Sequence, residues 1–335
     1  MDIEKIWNNW QEAGKFSGVF AVNSGQGIIF EKSCGFRNRS EKLLNNSETA
    51  FAVASVTKLF TGLAVCKLID EGKLSLDSKL CDILPYDLGR IDKRVTIFQL
   101  LTHTSGIGDY IDEEAEDCDE QLEKLNKKYP VYLWERLDYY LQMITPLPPK
   151  FEPGARFGYS NAGFIILGLV IEAASGISYQ QFVTDKIIKP CGLVGTGYYR
   201  MDALPANTAY GYKKDNESGE WRMNIFSMPV VGGSDGGLFT CPGDLDKLWR
   251  AIFAYKILSE KTTQLFLHPH AKFDENGAYG LGVYISNRAD KLVYFAVGGD
   301  CGVDCFTAYL PGREISVSAL GNSNVNTYSL LEAFL

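Results

Sequence analysis

The chain has 335 residues, of which 46% are hydrophobic and 22% are charged. This composition is typical of a globular protein with a substantial core. Its 33 lysines and arginines against 41 aspartates and glutamates give a formal net charge of −8. Because a nucleic-acid surface needs clustered cations that displace counterions from phosphates, we expect no nucleic-acid partner.

The residues from Met1 to Lys5 contain no apolar stretch of the kind found in export signals, and no later apolar run approaches the ~20 residues of a membrane-spanning helix. We therefore expect no membrane span. The eight cysteines form no C-x-x-C pair, and a chain of this length does not need disulfides to fold. We expect free thiols in a reducing compartment, which favours a cytoplasmic location unless an export signal has been removed.

The chain begins with a β pattern and continues with a helical one. Val19 to Val22 and Ile28 to Phe30 are short apolar runs separated by a turn sequence, which predicts a β-hairpin. After Ser55, apolar residues recur every three or four positions as far as Ile69, and Gly72 follows. This spacing predicts a buried helix with Ser55 in its first turn.

Helical patterns dominate the middle of the chain, from about Pro85 to Tyr199, and β patterns return after it. The predicted late strands lie at 281–285, 292–297 and 315–320. This order predicts an α+β fold, in which one antiparallel sheet made from both ends of the chain is flanked by helices. We expect a single unit, with a sheet lobe at 1–80 and 205–335 and a mainly helical lobe inserted at 81–204.

A serine and a lysine stand three residues apart at Ser55 and Lys58. On a helix, residues i and i+3 share a face with Cβ atoms ~5–6 Å apart, so the amine can reach the hydroxyl. Burial at a helix amino terminus lowers the pKa of a lysine, because desolvation and the helix dipole both disfavour the cation. A neutral lysine can accept the serine proton, although the pattern alone also occurs as an ordinary surface pair.

Two further polar residues, Tyr159 and Asn161, follow about a hundred residues later. A phenol can relay a proton, and an amide can hydrogen-bond a substrate carbonyl. The predicted site therefore has Ser55, Lys58 and Tyr159 as its catalytic residues. Asn161 is predicted to bind substrate.

These motifs, with others in the same order, resemble those of the serine β-lactamase and penicillin-binding protein superfamily. The further matching segments are Phe51–Ala54, Glu71–Asp77, Ile97–Gly106, Pro190–Leu193, Gly236–Thr240 and Tyr279–Gly282. They resemble most the class C β-lactamase-like branch, which includes D,D-peptidases, D-aminopeptidases and esterases. The resemblance implies the β-lactamase/transpeptidase-like fold and a serine hydrolase that acts through an acyl-enzyme on an ester, D-amino-acid peptide or β-lactam carbonyl. It implies a small-molecule or short-peptide substrate and no cofactor.

The resemblance also implies an oxyanion hole that combines the nucleophile's N–H with one from a strand carrying a Lys/His-x-Gly motif. The matching segment here has Val297 at the position of the cation, followed by Gly298 and Gly299. In this register the glycines let the substrate approach closely, and the N–H of Asp300 is the second oxyanion donor. A valine cannot bind the substrate carboxylate that D-Ala-D-Ala peptides and penicillins carry.

Nine acidic residues and no lysine or arginine lie between Asp109 and Glu123. Such a run is most often a solvated loop or helix, and the alternative is an acidic lid over the site. A lid of this kind and the Asp300 side chain would disfavour anionic ligands. We therefore expect esters or peptides with an amino-terminal D-residue to be better substrates than β-lactams.

One alternative nucleophile comes from Gly232–Gly236, which fits the G-x-S-x-G elbow, with Asp244 or Asp246 and His268 or His270 in the order of an α/β-hydrolase triad. The residues after it predict another strand, whereas an elbow leads into a helix. A glycine-rich turn lining the cleft is therefore favoured. The two histidines lack a third ligand, so no metal site is expected.

A different class of function is also open. The degraded third motif permits a penicillin-binding or ligand-sensing protein on the same fold with little or no turnover. The combination of Ser55, Lys58, Tyr159 and Asn161 favours turnover, because a protein without catalysis has no physical need for all four. His103 is expected to hold a turn together through hydrogen bonds and to take no part in acid–base chemistry.

Overall fold

The structure is a computed structural model that describes residues 3–12, 16–113, 118–215, 217–288, 291–324, 327, 329 and 330. The helices are Ile3–Glu12 (α1), Thr57–Asp70 (α2), Leu80–Ile83 (α3), Ile97–Leu101 (α4), Cys118–Lys128 (α5), Leu141–Ile144 (α6), Asn161–Ser175 (α7), Tyr179–Val183 (α8), Pro242–Phe253 (α9) and Glu260–Leu267 (α10). The strands are Gly18–Ser24 (β1), Gly27–Cys34 (β2), Phe36–Asn38 (β3), Leu43–Leu44 (β4), Phe51–Ala52 (β5), Tyr212–Lys214 (β6), Trp221–Met223 (β7), Phe239–Thr240 (β8), Ala271–Lys272 (β9), Gly277–Tyr279 (β10), Tyr284–Arg288 (β11), Lys291–Asp300 (β12), Val303–Leu310 (β13) and Ile315–Gly321 (β14).

Eight strands form one antiparallel sheet in the order β2-β1-β14-β13-β12-β11-β10-β9. Strands β1 and β2 come from the beginning of the sequence and β9 to β14 from its end, as predicted. The hairpin of β1 and β2 and the strands β12 and β14 contain the residues that were expected to be extended. The strand expected at 281–285 begins only at Tyr284, because Gly282 adopts a φ of +110°, which interrupts an extended backbone.

The sheet is covered on both faces by separate apolar clusters. On one face, Trp7 of α1 stacks on Phe20 of β1 with ring centroids 6.2 Å apart. On the other face, Trp249 of α9 is fully buried and donates a hydrogen bond to the Thr307 hydroxyl at 2.8 Å. Successive residues of β12 alternate between the two clusters, as the pleat of a strand requires. The sheet is therefore flanked by helices, and the α+β prediction is confirmed.

Helix α2 joins the sheet to the helical part of the protein. Almost all of its side chains are buried, and it packs against α7 and α10. A Cβ at Gly62 would lie 2.1 Å from the Leu281 carbonyl oxygen, so only glycine lets the helix backbone reach the loop before β11. The amino-terminal ends of α2 and α7 and the open end of β12 all border one cavity.

Within the part of the chain that the structure describes, no single helix is both long and apolar enough to cross a membrane. Helix α7 and the residues Tyr179–Ile188 pass that test only as a pair, which is bent by 76°. The seven cysteines whose side chains are described carry free thiols.

Candidate active site

Ser55 lies in the 3₁₀ turn Ala54–Val56, directly before α2, and borders a cavity of about 710 Å³. The Thr57 hydroxyl donates to the Ala54 carbonyl at 2.7 Å and accepts from the Leu238 N–H at 3.1 Å, which ties this turn to a neighbouring loop. Ala54 has a φ of +41°, a left-handed conformation that costs an alanine ~1–2 kcal/mol. The surrounding contacts therefore hold a strained turn that presents the Ser55 hydroxyl to the cavity.

The Lys58 side chain is 2% exposed, and its amine lies at the centre of the site. Its Nζ donates to Ser55 Oγ at 2.8 Å, to Asn161 Oδ1 at 2.7 Å and to the Asp235 backbone carbonyl at 2.7 Å. Burial lowers the pKa of Lys58 below that of a free lysine, although the carboxyls around it act in the opposite direction. The amine is thus placed to accept the serine proton.

Tyr159 and Asn161 reach the site because they flank the start of α7. Ser160 between them caps this helix, its hydroxyl accepting a backbone N–H at 3.0 Å. The Tyr159 hydroxyl donates to Ser55 Oγ at 2.8 Å. Burial raises the pKa of Tyr159 well above its ordinary value, so the phenol keeps its proton at neutral pH. The Ser55 hydroxyl is thus contacted both by the Lys58 amine and by a protonated phenol.

The acidic segment contributes two carboxylates that were not expected in the site. Asp109 accepts the backbone N–H of Asn161 at 2.6 Å and that of Ala162 at 3.1 Å, which satisfies two free donors at the start of α7. Glu113 accepts the side-chain amide of Asn161 at 2.7 Å. Burial raises the pKa of Asp109 to about 6. The favoured interpretation of a solvated loop is wrong for Asp109, whereas Glu113 is exposed as that interpretation expects, and positions 114–117 lie outside the described residues.

The segment Gly232–Gly236 borders the cavity but does not form a nucleophile elbow. Ser234 is fully buried, and its hydroxyl has no hydrogen-bond partner in the described part of the chain. Strand β8 follows it, as the sequence predicted, and α9 begins only after that strand. The sequence did not mark Asp235, whose carbonyl accepts the Lys58 amine and whose carboxylate accepts the Tyr110 hydroxyl. These contacts join segments far apart in the chain, so no local pattern could have indicated them.

Three other candidates for the alternative triad make contacts elsewhere. Asp244 accepts a backbone N–H at 2.7 Å, and Asp246 forms an ion pair with Arg250 at 2.9 Å. The Nε2 of His270 lies 2.8 Å from a backbone carbonyl. Among the described residues, no group of three or more histidines, cysteines and acids could hold a metal ion.

Strand β12 extends beyond its neighbour β11 and passes the Ser55 turn. Asp300 pairs with Val303 across a two-residue turn, and residues that flank such a turn bond to each other. The N–H of Asp300 therefore points toward β13. Because N–H directions alternate along a strand, the N–H of Gly299 points the opposite way, toward the open edge of β12 beyond the end of β11. The N–H at the open edge, where a second oxyanion donor is expected, is thus that of Gly299 and not that of Asp300.

Gly298 lets β12 approach the nucleophile. A Cβ at this position would lie 2.3 Å from the Val53 carbonyl oxygen and 3.0 Å from the Ser55 nitrogen, so any side chain would force the two segments apart. The change of register also moves the expected position of the cation from Val297 to Ala296. Both residues are apolar, and Val297 lines a second cavity of about 480 Å³ on the other side of the site.

Carboxyl groups dominate the charge of the larger cavity, which is lined by Glu113, Asp235 and Asp300. Asp300 accepts the N–H of Cys301 at 2.8 Å. Burial raises the pKa of Asp300 to about 7 and also raises that of Asp235. Among the described residues that line this cavity, Lys213 is the one cation, and its side chain is exposed at the rim.

His103 supports the site from behind and does not contact the nucleophile. Its Nδ1 accepts the Ser160 N–H at 3.1 Å, and its ring centroid is 4.6 Å from that of Tyr159. Burial lowers the pKa of His103 well below its ordinary value, so the ring is neutral. It holds the chain before α7 in place, as expected.

Comparison with known proteins identifies the family. The β-lactamase family model matches residues 5–333. The chain belongs to the β-lactamase family. Among solved structures, the penicillin-binding protein from Bacillus halodurans is 39% identical in sequence, covers 99% of both chains and superposes with a TM-score of 0.90.

Two other known proteins extend this comparison. Penicillin-binding protein 4* of Bacillus subtilis is 27% identical over 302 residues, which are 86% of this chain. The chain spans only 64% of that protein's length. The D-stereospecific amidohydrolase from Streptomyces is 24% identical, covers 99% of this chain and 98% of its own, and has a TM-score of 0.84. At that identity the likeness shows the fold alone.

Proposed function

We propose that this β-lactamase family protein is a serine hydrolase that forms an acyl-enzyme on Ser55. The observation that carries the proposal is the 2.8 Å contact between Ser55 Oγ and the buried amine of Lys58. A serine hydroxyl is a weak nucleophile until a neighbouring base removes its proton, and burial favours the neutral, basic form of the amine. A protein that only holds a ligand does not need this pair.

In the proposed first step, Lys58 takes the Ser55 proton while Oγ bonds to the substrate carbonyl carbon. The N–H groups of Ser55 and Gly299 stabilise the resulting oxyanion. The proton then passes by way of the Tyr159 hydroxyl to the leaving nitrogen or oxygen as its bond to carbon breaks. Water attacks the ester on Ser55 in the same manner and releases the acid. The amide of Asn161 is assigned to the substrate's acyl group.

We propose neutral esters and amides of D-amino acids as better substrates than β-lactams. The apolar Ala296 and Val297 provide no cation for a substrate carboxylate, and the acidic residues Glu113, Asp235 and Asp300 line the cavity instead. The Streptomyces relative that shares the fold is named a D-stereospecific amidohydrolase, which is consistent with amide substrates.

Substrate profiling tests the proposal. Turnover of a p-nitrophenyl ester, D-alanine p-nitroanilide, a D-Ala-D-Ala peptide and nitrocefin is measured, with Ser55→Ala as the blank. We expect the ester and the anilide to have the highest kcat/KM and the blank to be inactive. Faster turnover of nitrocefin would contradict the substrate assignment. Stable labelling of Ser55 by a fluorophosphonate, without hydrolysis of any substrate, would instead favour a binding protein without turnover.

A further inference from the structure

The turn at the end of β12 is held by side chains from other parts of the chain. Strand β12 pairs with β11 only as far as Phe295, so from Ala296 to Asp300 it is paired on one side alone in the described sheet, with β13. Two adjacent glycines, Gly298 and Gly299, lie in this segment, and glycine has more backbone freedom than any other residue. A strand end of this kind depends on contacts from outside the sheet for a fixed position.

The side chain of Asn324 bonds to both ends of this turn and to its middle. Its Oδ1 accepts the Gly302 N–H at 2.9 Å, and its Nδ2 donates to the Asp300 carbonyl at 2.8 Å and to the Val303 carbonyl at 3.4 Å. Gly302 has a φ of +70° and forms, with Cys301, the two-residue turn between β12 and β13. One amide therefore joins the turn to the last residue of β12 and to the first residue of β13.

Other side chains complete the bonding of the turn. Asn224 is 1% exposed and donates from Nδ2 to the Cys301 carbonyl at 2.7 Å. The Cys301 N–H donates to the Asp300 carboxylate at 2.8 Å. Both N–H groups of the turn and the Cys301 carbonyl are thus bonded to side chains, which restricts the movement of the turn.

Asn324 is itself attached to a rigid part of the molecule. It lies two residues after Asn322, whose side chain accepts the Ser17 hydroxyl at 2.7 Å. The same side chain donates to the carbonyls of Phe36 and Tyr210 at 2.9 Å and 2.8 Å. The Asn324 amide is therefore presented from a fixed base, although Asn324 itself is exposed.

We propose that Asn324 is a positioning residue for the oxyanion hole, which acts by fixing the turn at 300–303 and, through it, the N–H of Gly299. The inference rests on the proposed function. Gly299 lies directly before this turn, and Gly298 lies against the Ser55 turn, so a shift of the strand end changes the distance between the two oxyanion donors. Removal of one oxyanion donor lowers kcat about 10²–10³-fold, and a donor that is displaced without being removed is expected to lower it less.

The test compares Asn324→Ala with Asn38→Ala, which serves as the matched control. The Asn38 side chain accepts the Glu41 N–H at 3.0 Å in another turn, and Asn38 lines neither of the two cavities beside Ser55. For a neutral p-nitrophenyl ester, we expect Asn324→Ala to lower kcat about tenfold or more and to change KM by less than about threefold. We expect Asn38→Ala to leave both constants unchanged.

A second measurement examines the oxyanion hole without turnover. The rate at which a fluorophosphonate labels Ser55 should fall in Asn324→Ala by the same factor as kcat, because the phosphoryl oxygen needs the same two N–H donors. Urea denaturation establishes that each variant is folded. A loss that appears mainly in KM would place Asn324 in direct contact with the substrate and overturn the positioning role. Equal kcat in the wild type and Asn324→Ala would also overturn it.

Failure of this inference can be distinguished from failure of the proposed function. A wild-type protein that hydrolyses a neutral ester through Ser55, with an equally active Asn324→Ala variant, contradicts the positioning role alone. If the wild type turns over no ester, hydrogen–deuterium exchange of the peptide that contains residues 299–303 still decides. Faster exchange in Asn324→Ala than in Asn38→Ala supports the role of Asn324 in fixing the turn, and equal exchange overturns it.

Discussion

Replacing Gly298 with alanine is expected to push strand β12 away from the Ser55 turn. The added Cβ would lie 2.3 Å from the Val53 carbonyl oxygen, whereas a carbon and an oxygen ordinarily approach no closer than ~3.3 Å. The strand must therefore move by about 1 Å, and a displacement of that size can reduce a rate about 100-fold. Because the N–H of Gly299 moves with the strand, we expect kcat for a neutral ester to fall by a factor of about 10²–10³. Crowding of this kind also costs ~1–3 kcal/mol of folding free energy.

The assay is steady-state hydrolysis of a p-nitrophenyl ester, with urea denaturation to measure the loss of stability. Gly299→Ala is the matched comparison, because a Cβ at this next residue meets no atom within 4 Å. It is expected to lose less than about tenfold in kcat/KM, mainly in KM, since its methyl group enters the cavity. A Gly298→Ala protein with nearly wild-type kcat, or equal losses in the two variants, would refute the proposed close approach of β12 and Ser55.

Other variants test the remaining contacts. Lys58→Met is expected to lower kcat/KM about 10²–10⁴-fold, as loss of a general base does. Because burial lowers the Lys58 pKa, a pH–rate profile of the wild type should rise with pH and level off below pH ~10.4. Asp109→Ala removes the acceptor at the start of α7 and should cost ~1–2 kcal/mol in urea denaturation. Ser234→Ala should keep its ester turnover, because that hydroxyl is buried and has no partner among the described residues. An inactive variant would instead support Ser234 as the nucleophile. The Asp300 pKa of about 7 implies that this carboxyl ionises between about pH 6 and 7.5, so turnover of the anionic nitrocefin should fall relative to that of a neutral ester over this range. Asp300→Asn should show no such fall.

The sequence was sufficient to predict those parts of the site that depend on local geometry. Ser55 and Lys58 lie three residues apart, and although Ser55 is in the 3₁₀ turn that leads into α2 and not in the first turn of the helix, the spacing still places the two side chains together. The antiparallel sheet followed from the order of apolar runs along the chain.

Contacts between distant segments could not be predicted in this way. Asp109, Glu113 and Asp235 enter the site because loops far apart in the sequence fold against α7 and α2, and no spacing within the chain encodes such contacts. The interpretation of the charge run as a solvated loop also failed for Asp109, because its carboxylate accepts the backbone N–H groups of Asn161 and Ala162.

The register of β12 was misplaced by one residue for a different reason. Gly298 and Gly299 are adjacent and carry no side chains, so the alternation that normally distinguishes the two faces of a strand is absent. Only the pairing of Asp300 with Val303 across the turn determines which N–H faces the nucleophile. In either register the position where a cation was expected holds an uncharged residue, Ala296 or Val297.

Trapping the covalent intermediate tests the central claim most directly. The protein is mixed with a p-nitrophenyl ester, quenched in acid within seconds and digested, and the peptides are analysed by mass spectrometry. We predict an acyl group on the peptide that contains Ser55, and no such adduct in Ser55→Ala. An adduct on Ser234, or ester hydrolysis undiminished in Ser55→Ala, would contradict the assignment of Ser55 as the nucleophile.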